Sequence, residues 1–380
     1  MGESALNTYY SKIGRLLDER TPIDQEGYFV LCDDNEAKFS LEKPEGIKIV
    51  TSECFANALA EGCKFVVNTF ASSTDNDKVY VFNLYADEHN SIFIYLNTMD
   101  QFKGILERYQ NKYPGKYQDI SDKNSLKYSQ GDFNFQFWHE HMGEHGRLIH
   151  DFERLAYLVM DLDEGESDLN EDDTPILAFE AGIIKDGYYL LALKATVQLI
   201  NEKAFGPLNK TENFIAFAST GNDYMDYSLT MRKTIEQELF YDVFPNIKEK
   251  DAQYREELEK NAQLSVGEYL DYWNDAVHSG YRLDIPFKYI KSELEIFLQL
   301  ERFGDELASE CIDRLKQINY NVSLERKQFE SIYFYIEALH FAGILSEEQK
   351  HNCSIVADLM SSCKNDLKEA AKELLNFARS

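Results

Sequence analysis

The chain has 380 residues, of which 39 are Lys or Arg and 67 are Asp or Glu, for a formal charge of −28; 44% of its residues are hydrophobic. Those proportions describe a globular protein of one or two domains. They argue against a generic nucleic-acid binder, because a phosphate backbone is held by clustered cations and repelled by a surface of this charge.

From the N-terminus, Leu6 to Leu17 reads as an amphipathic helix, with Leu6, Ile13, Leu16 and Leu17 on one side. Two short extended runs follow, Tyr28–Leu31 and Ile47–Val50, separated by a turn at Pro44 to Gly46. A helix is expected from about Ser52 to Glu61. Strands Val79–Tyr85 and Ser91–Leu96, joined by the polar connection Ala86 to Asn90, then predict an antiparallel hairpin. The alternation Val79, Val81, Asn83, Tyr85 predicts that one face of the first strand is covered. Thr98 and Gln101 have capping-box spacing ahead of the helical stripe Phe102, Ile105, Leu106 and Tyr109.

After a polar segment, Phe133, Phe135 and Phe137 repeat every second residue and predict a strand, and Leu148, Phe152, Leu155, Val159 and Leu162 form a helical stripe. Thr174 before Pro175 predicts the start of another helix, Thr as cap and Pro in the first turn, breaking near Asp186–Gly187, where a hairpin is the alternative. Phe214–Ala218 is a strand candidate, followed by a helix holding Ile235, Leu239, Phe240 and Val243. Past Pro245 the pattern becomes helical throughout. Asn246 to Gln263 is a solvated helix or linker, Ser265/Glu268 and Ser346/Gln349 fit capping boxes, and Leu294, Phe297, Leu298 and Phe303 with Phe329, Ile332, Ile336 and Leu339 give apolar faces for antiparallel helices. The predicted architecture is an α+β domain over residues 1–250, an antiparallel sheet flanked by helices, followed by an all-α bundle or short solenoid over 251–380.

The longest apolar runs, such as that around Tyr188 to Leu193, fall far short of the ~20 residues that cross a bilayer, and Met1 to Asp18 has no basic-then-apolar leader. A cytoplasmic protein without a membrane partner is expected. Cys32, Cys54, Cys63, Cys311, Cys353 and Cys363 are irregularly spaced and contain no C-x-x-C, so reduced, partly buried thiols are expected rather than a zinc cage or a disulfide framework.

The run Tyr80-Val81-Phe82-Asn83-Leu84-Tyr85-Ala86-Asp87, then Tyr95-Leu96-Asn97-Thr98, then the aromatic strand ending at Trp138, then Phe214 to Thr220 with Asp223, resembles a bacterial α+β domain family catalogued as a domain of unknown function. The resemblance covers about Ser52 to Pro245 and leaves out the first fifty residues and the helical half. It implies no activity. Relatives look like accessory genes of bacterial toxin and interbacterial-competition loci, so the resemblance implies an accessory protein that neutralises a toxin. The matched residues read as architecture: Tyr80, Phe82, Leu84 and Tyr95 as sheet core, Asn97 and Thr98 as a helix cap, Trp138 as a packing anchor.

Chemistry-bearing residues are sparse. Trp138-His139-Glu140-His141-Met142-Gly143-Glu144-His145, with His150 nearby, offers the donors that a zinc-like ion accepts: His139, His141, His145 and Glu144 (or Glu140). The spacing is not H-E-x-x-H, and Gly143 indicates a turn, so a polar turn with exposed histidines is the competing reading. Asp161, Asp163, Glu164, Glu166, Asp168, Glu171, Asp172 and Asp173 form an acidic block without compensating cations. A calcium loop starting at Asp161 would need Gly and Glu where Glu166 and Asp172 stand, leaving a solvated loop or a docking patch for a cationic partner. Cys54, near a helix start, and Cys63 read as structural thiols, and His340, beside an apolar stripe, as a satisfied core histidine. Pairs such as Asp33–Asp34 carry no specificity in so acidic a chain, and no nucleophile elbow, P-loop or dinucleotide fingerprint occurs.

The leading expectation is therefore an acidic cytoplasmic binding protein, an immunity-type inhibitor that occludes a basic protein such as a toxin, with no resident cofactor. The alternatives are a metal-dependent enzyme using His139, His141 and His145, with a divalent ion as cofactor, and a structural scaffold or adaptor.

Overall fold

A computed structural model describes residues 27–33, 36–86, 91–159, 169, 172–181, 183, 187–220, 231–278 and 293–379. The helix expected at Leu6 to Leu17, the chain between strands at 87–90, and Leu162 lie outside these residues. The chain divides into two compact units, one ending at Lys248 and the other beginning at Glu249. The first is α+β and the second, among the described residues, all helical. No described helix is long and apolar enough to cross a membrane.

In the first unit, β1 (Tyr28–Cys32), β2 (Ala37–Ser40), β3 (Lys48–Val50) and β7 (Pro175–Glu180) form one sheet in the order β2-β1-β7-β3, with β7 antiparallel to β1 and parallel to β3. The helix expected after Thr174 is thus a strand. Pro175 is tolerated because it is the first strand residue, opposite Cys32, where a bulge shifts the register, so its missing N–H is not needed by the ladder. Leu177 and Phe179 face the main core while Ala178 is buried on the other side. A strand covered on both faces is a short apolar run, which periodicity alone cannot separate from a helix.

The second sheet runs β6-β5-β4-β8, from β4 (Val79–Ala86), β5 (Ile92–Thr98), β6 (Phe135–Phe137) and β8 (Lys210–Thr220). The β4–β5 pair is the expected antiparallel pair, while β8 runs parallel to β4. Because β4 is interior, both its faces are covered: Phe82 and Leu84 belong to one core, Val81 to another, and Asn83 is buried rather than solvated. This corrects the single covered face expected from alternation. The fully buried Asn83 is satisfied by Gln130 and by the Ser219 hydroxyl, which donates to it at 2.9 Å.

Helices α1 (Ser52–Ala71), α2 (Met99–Lys112), α3 (Ile120–Lys127), α4 (Gly146–Val159) and α5 (Gly187–Asn201) complete most of the unit. α1 begins at its Thr51 cap and runs ten residues beyond the expected end, because Leu59, Cys63, Val66, Val67 and Phe70 continue a buried stripe that outweighs the poor helix propensity of Gly62 and the valines. α5 starts at Gly187, where a break was expected, and its Leu191, Leu193, Ala195 and Leu199 are fully buried. The inner faces of both sheets share one core with α1, α4 and α5, and α2, α3 and the segment after β8 cover the other face of the second sheet. That segment is two short helices, α6 (Met231–Thr234) and α7 (Gln237–Val243), rather than one. The Thr98 hydroxyl caps α2 through the Gln101 N–H, but the reciprocal contact comes from Asn97, whose side chain accepts the Thr98 N–H at 3.0 Å and donates to the Tyr80 hydroxyl at 3.1 Å.

The division at Lys248 falls inside α8 (Pro245–Asn261), the polar stretch expected as helix or linker. Beyond it come α9 (Val266–His278), α10 (Glu293–Leu300), α11 (Asp305–Gln317), α12 (Arg326–Leu339), α13 (Glu347–Ser362) and α14 (Lys368–Arg379). Ser265/Glu268 and Ser346/Gln349 both close reciprocal capping boxes, as their spacing predicts. Phe297 of α10 packs on Phe334 of α12 and stacks on Phe341 just beyond it, two rings outside the stripe read from sequence.

Candidate functional site

The histidine-rich segment leaves β6 at Phe137, forms two short 3-10 turns, His139–His141 and Gly143–His145, and enters α4 at Gly146. Three glycines shape it. Gly143 sits at φ +61° against the Phe65 ring, where a side chain would be strained. A Cβ at Gly146 would collide with the His139 carbonyl oxygen, so only glycine lets the turn fold back onto the start of α4. Gly62 of α1 makes room for Met142, which is completely buried.

Gly146, His150 and Glu153 follow one another at helical spacing, and His139 lies over that stripe. His139 Nδ1 stands 2.7 Å from Glu153 Oε2, and the other carboxylate oxygen accepts the Ile92 N–H at 2.8 Å. The His150 ring lies beside that of His139, with centroids 4.4 Å apart and planes at 36°. One donor atom from each of His139, His150 and Glu153 lies within 4.8 Å of the others, the one such potential metal-ligand group among the described residues. Burial holds the Glu153 carboxyl above its ordinary range, opposed by the Ile92 N–H and by His139.

The other expected ligands stand apart from this cluster. The Nδ1 of His141 accepts the Trp138 N–H at 3.3 Å, and its ring sits edge-on to Trp138. His145 points to the exposed Glu144, with 3.9 Å between Nε2 and Oε1, and Glu140 is exposed. Of the set read from sequence, only His139 joins the group. His150 was visible there only as a neighbour, and Glu153 was missed, although His150-x-x-Glu153 places an imidazole and a carboxylate on one helical stripe.

In the acidic block, Asp172 is exposed and Asp173 lies 4.0 Å from the Lys38 ammonium. Asp161, Asp163, Glu164, Glu166, Asp168 and Glu171 lie outside the described residues. All six cysteines are free thiols, and burial pushes Cys63 far above its ordinary value, as befits a structural thiol. Cys54 is half-buried in the first turn of α1, its N–H capped by Thr51. His340 pairs with Glu373 and packs on Phe377.

Two further polar features read as architecture. The Lys127 ammonium lies 4.6 Å from the Tyr80 ring centroid and 5.2 Å from that of Tyr128, and burial lowers it to about 8. In the second unit an open polar groove of about 660 Å³ is crossed by Arg314, whose guanidinium is bound by Asp271, Glu310, the Gly267 carbonyl and the Tyr335 hydroxyl. That cation serves as a clamp between α9, α11 and α12.

Residues 59–236 match the sequence model of a family described as a domain of unknown function (DUF4303). The match lies inside the span over which the aromatic motifs carried the resemblance, and the description brings no activity with it. No curated protein and no solved structure matches the chain.

Proposed function

We propose that this protein acts by binding a basic protein and occluding its working surface, as an immunity-type inhibitor does in the bacterial cytoplasm. The observation that supports this reading is the charge of −28, from 67 acids against 39 bases. A surplus of this size attracts a cationic partner over roughly a Debye length, ~8 Å at physiological ionic strength, and accelerates encounter more than it strengthens the complex. Exposed rings such as Phe65 and Tyr157 are the kind of side chain that anchors a partner once it has docked. The unknown-function domain is compatible with a toxin-neutralising role and assigns none.

The test is capture from the source cell at low and moderate salt, followed by association kinetics with the recovered protein. The expected partner is basic, binds stoichiometrically, loses its activity in the complex, and associates more slowly when Asp163, Glu164, Asp172 and Asp173 are neutralised together. A partner that is acidic or neutral, or an association rate indifferent to salt, removes the reading; an unchanged rate in the neutralised variant removes the acidic block from it. Among the described residues His139, His141 and His145 form no common ligand group, which favours the binding reading over an enzyme built on those three imidazoles.

A further inference from the structure

We propose that His139, His150 and Glu153 bind a divalent transition-metal ion of the zinc class, with at least one coordination position left to water. The inference goes beyond the protein-binding reading and does not depend on it.

Donor chemistry selects the class of ion. Two imidazoles and one carboxylate suit zinc, cobalt or nickel, whereas magnesium and calcium prefer all-oxygen shells. Geometry makes the set reachable. Ligands at ~2.0–2.2 Å from a tetrahedral ion stand roughly 3.3–3.6 Å from one another. Here the donor atoms already lie within 4.8 Å of one another, with 2.7 Å between His139 Nδ1 and Glu153 Oε2. The difference between that bound and tetrahedral spacing is of the size that rotation about side-chain bonds covers.

The frame that holds these donors is built for close approach. His150 and Glu153 share a stripe of α4, and the turn carrying His139 is pressed onto the start of that helix at Gly146 and pinned to α1 through Met142. Glu153 is oriented by the Ile92 N–H at the start of β5, so one oxygen is held while the other faces the imidazoles. An ordinary surface His–Glu ion pair requires neither the second imidazole at 4.4 Å nor a carboxylate anchored by backbone. His150 is exposed, which leaves a route for the ion and a side for water.

The experiment titrates the full-length protein with cobalt(II) and reads visible absorption, with metal content measured after desalting. The expected result is one cobalt per chain, with the d–d bands of a four- or five-coordinate ion and no thiolate charge-transfer band. Affinity should fall at least about tenfold in His150→Gln and in Glu153→Gln, and be retained in His141→Gln and His145→Gln. His150 is exposed, so its variant keeps the fold, which far-ultraviolet circular dichroism verifies. Failure of the wild-type protein to bind cobalt overturns the proposal. So does equally tight binding by His150→Gln, or a loss confined to His141→Gln or His145→Gln.

Discussion

The lock between α1 and the histidine-rich turn can be measured with a double-mutant cycle on Gly62 and Met142. A Cβ at Gly62 would stand 3.0 to 3.2 Å from the Cβ, Sδ and Cγ of Met142, inside the ~3.5–4.0 Å at which carbon atoms rest. Gly62→Ala therefore combines a gain of about 1 kcal/mol in helix propensity with an overpacking loss of about 1–3 kcal/mol, for a net destabilisation of about 0–2 kcal/mol. Met142→Ala empties a fully buried site and costs about 2–5 kcal/mol. In the double variant the new methyl keeps only the 3.0 Å contact with the Cβ of residue 142, is relieved of those with Sδ and Cγ, and occupies part of the space they leave. The pair should then be less destabilising than the sum of the singles by about 1 kcal/mol or more. Hydrogen exchange of the β4 and β5 amides, read by mass spectrometry over residues 79–98, reports the stability of the first unit separately from the second. Additivity within about 0.3 kcal/mol would refute the account of Gly62 as the notch for Met142.

The remaining predictions concern buried polar groups. Unfolded Lys127 keeps its proton to its ordinary value of 10.5, while the folded chain sheds it at about 8. Between those values unfolding takes up a proton, so stability of the first unit should rise with pH, by about 1–2 kcal/mol from pH 7 to 9.5 after allowing for the solvent that reaches the amine. Denaturation at both pH values in wild type and Lys127→Met checks this: the variant should lose that rise, and an identical rise would assign it elsewhere. Above pH ~10 the sign reverses, because burial holds Tyr80 protonated in the fold while unfolded tyrosine ionises. Asn83→Ala should cost the first unit about 2–3 kcal/mol, because it removes two hydrogen bonds and leaves a cavity at a fully buried site while the Ser219 hydroxyl and Gln130 keep only each other at 3.0 Å, and Ser219→Ala about 1 kcal/mol. Equal effects of the two in the hydrogen-exchange assay would mean that the network is not centred on Asn83.

Signals carried by neighbouring residues were legible in the sequence. Ser265/Glu268 and Ser346/Gln349 announce their helices because a cap is satisfied within four residues, and Phe102, Ile105 and Tyr109 mark α2 because one helical face repeats locally. The β4–β5 pair was readable for the same reason, two extended runs joined by a short polar link. Net charge belongs to the composition alone, and the protein-binding proposal accordingly rests on it.

What required the folded chain is whatever depends on residues far apart. Thr174-Pro175 is locally a good helix start, yet β7 becomes a strand because β1 and β3, more than a hundred residues earlier, supply its hydrogen bonds. Asn83 looks like the polar side of an alternating strand until β8, parallel and distant, encloses it. The candidate metal site follows the same rule. Close spacing along the chain favoured His139, His141 and His145, which are turned apart by two 3-10 turns. Folding that turn onto α4 at Gly146 brings His139 over His150 and Glu153 instead, because donor atoms converge through the path of the backbone and not through proximity along the chain.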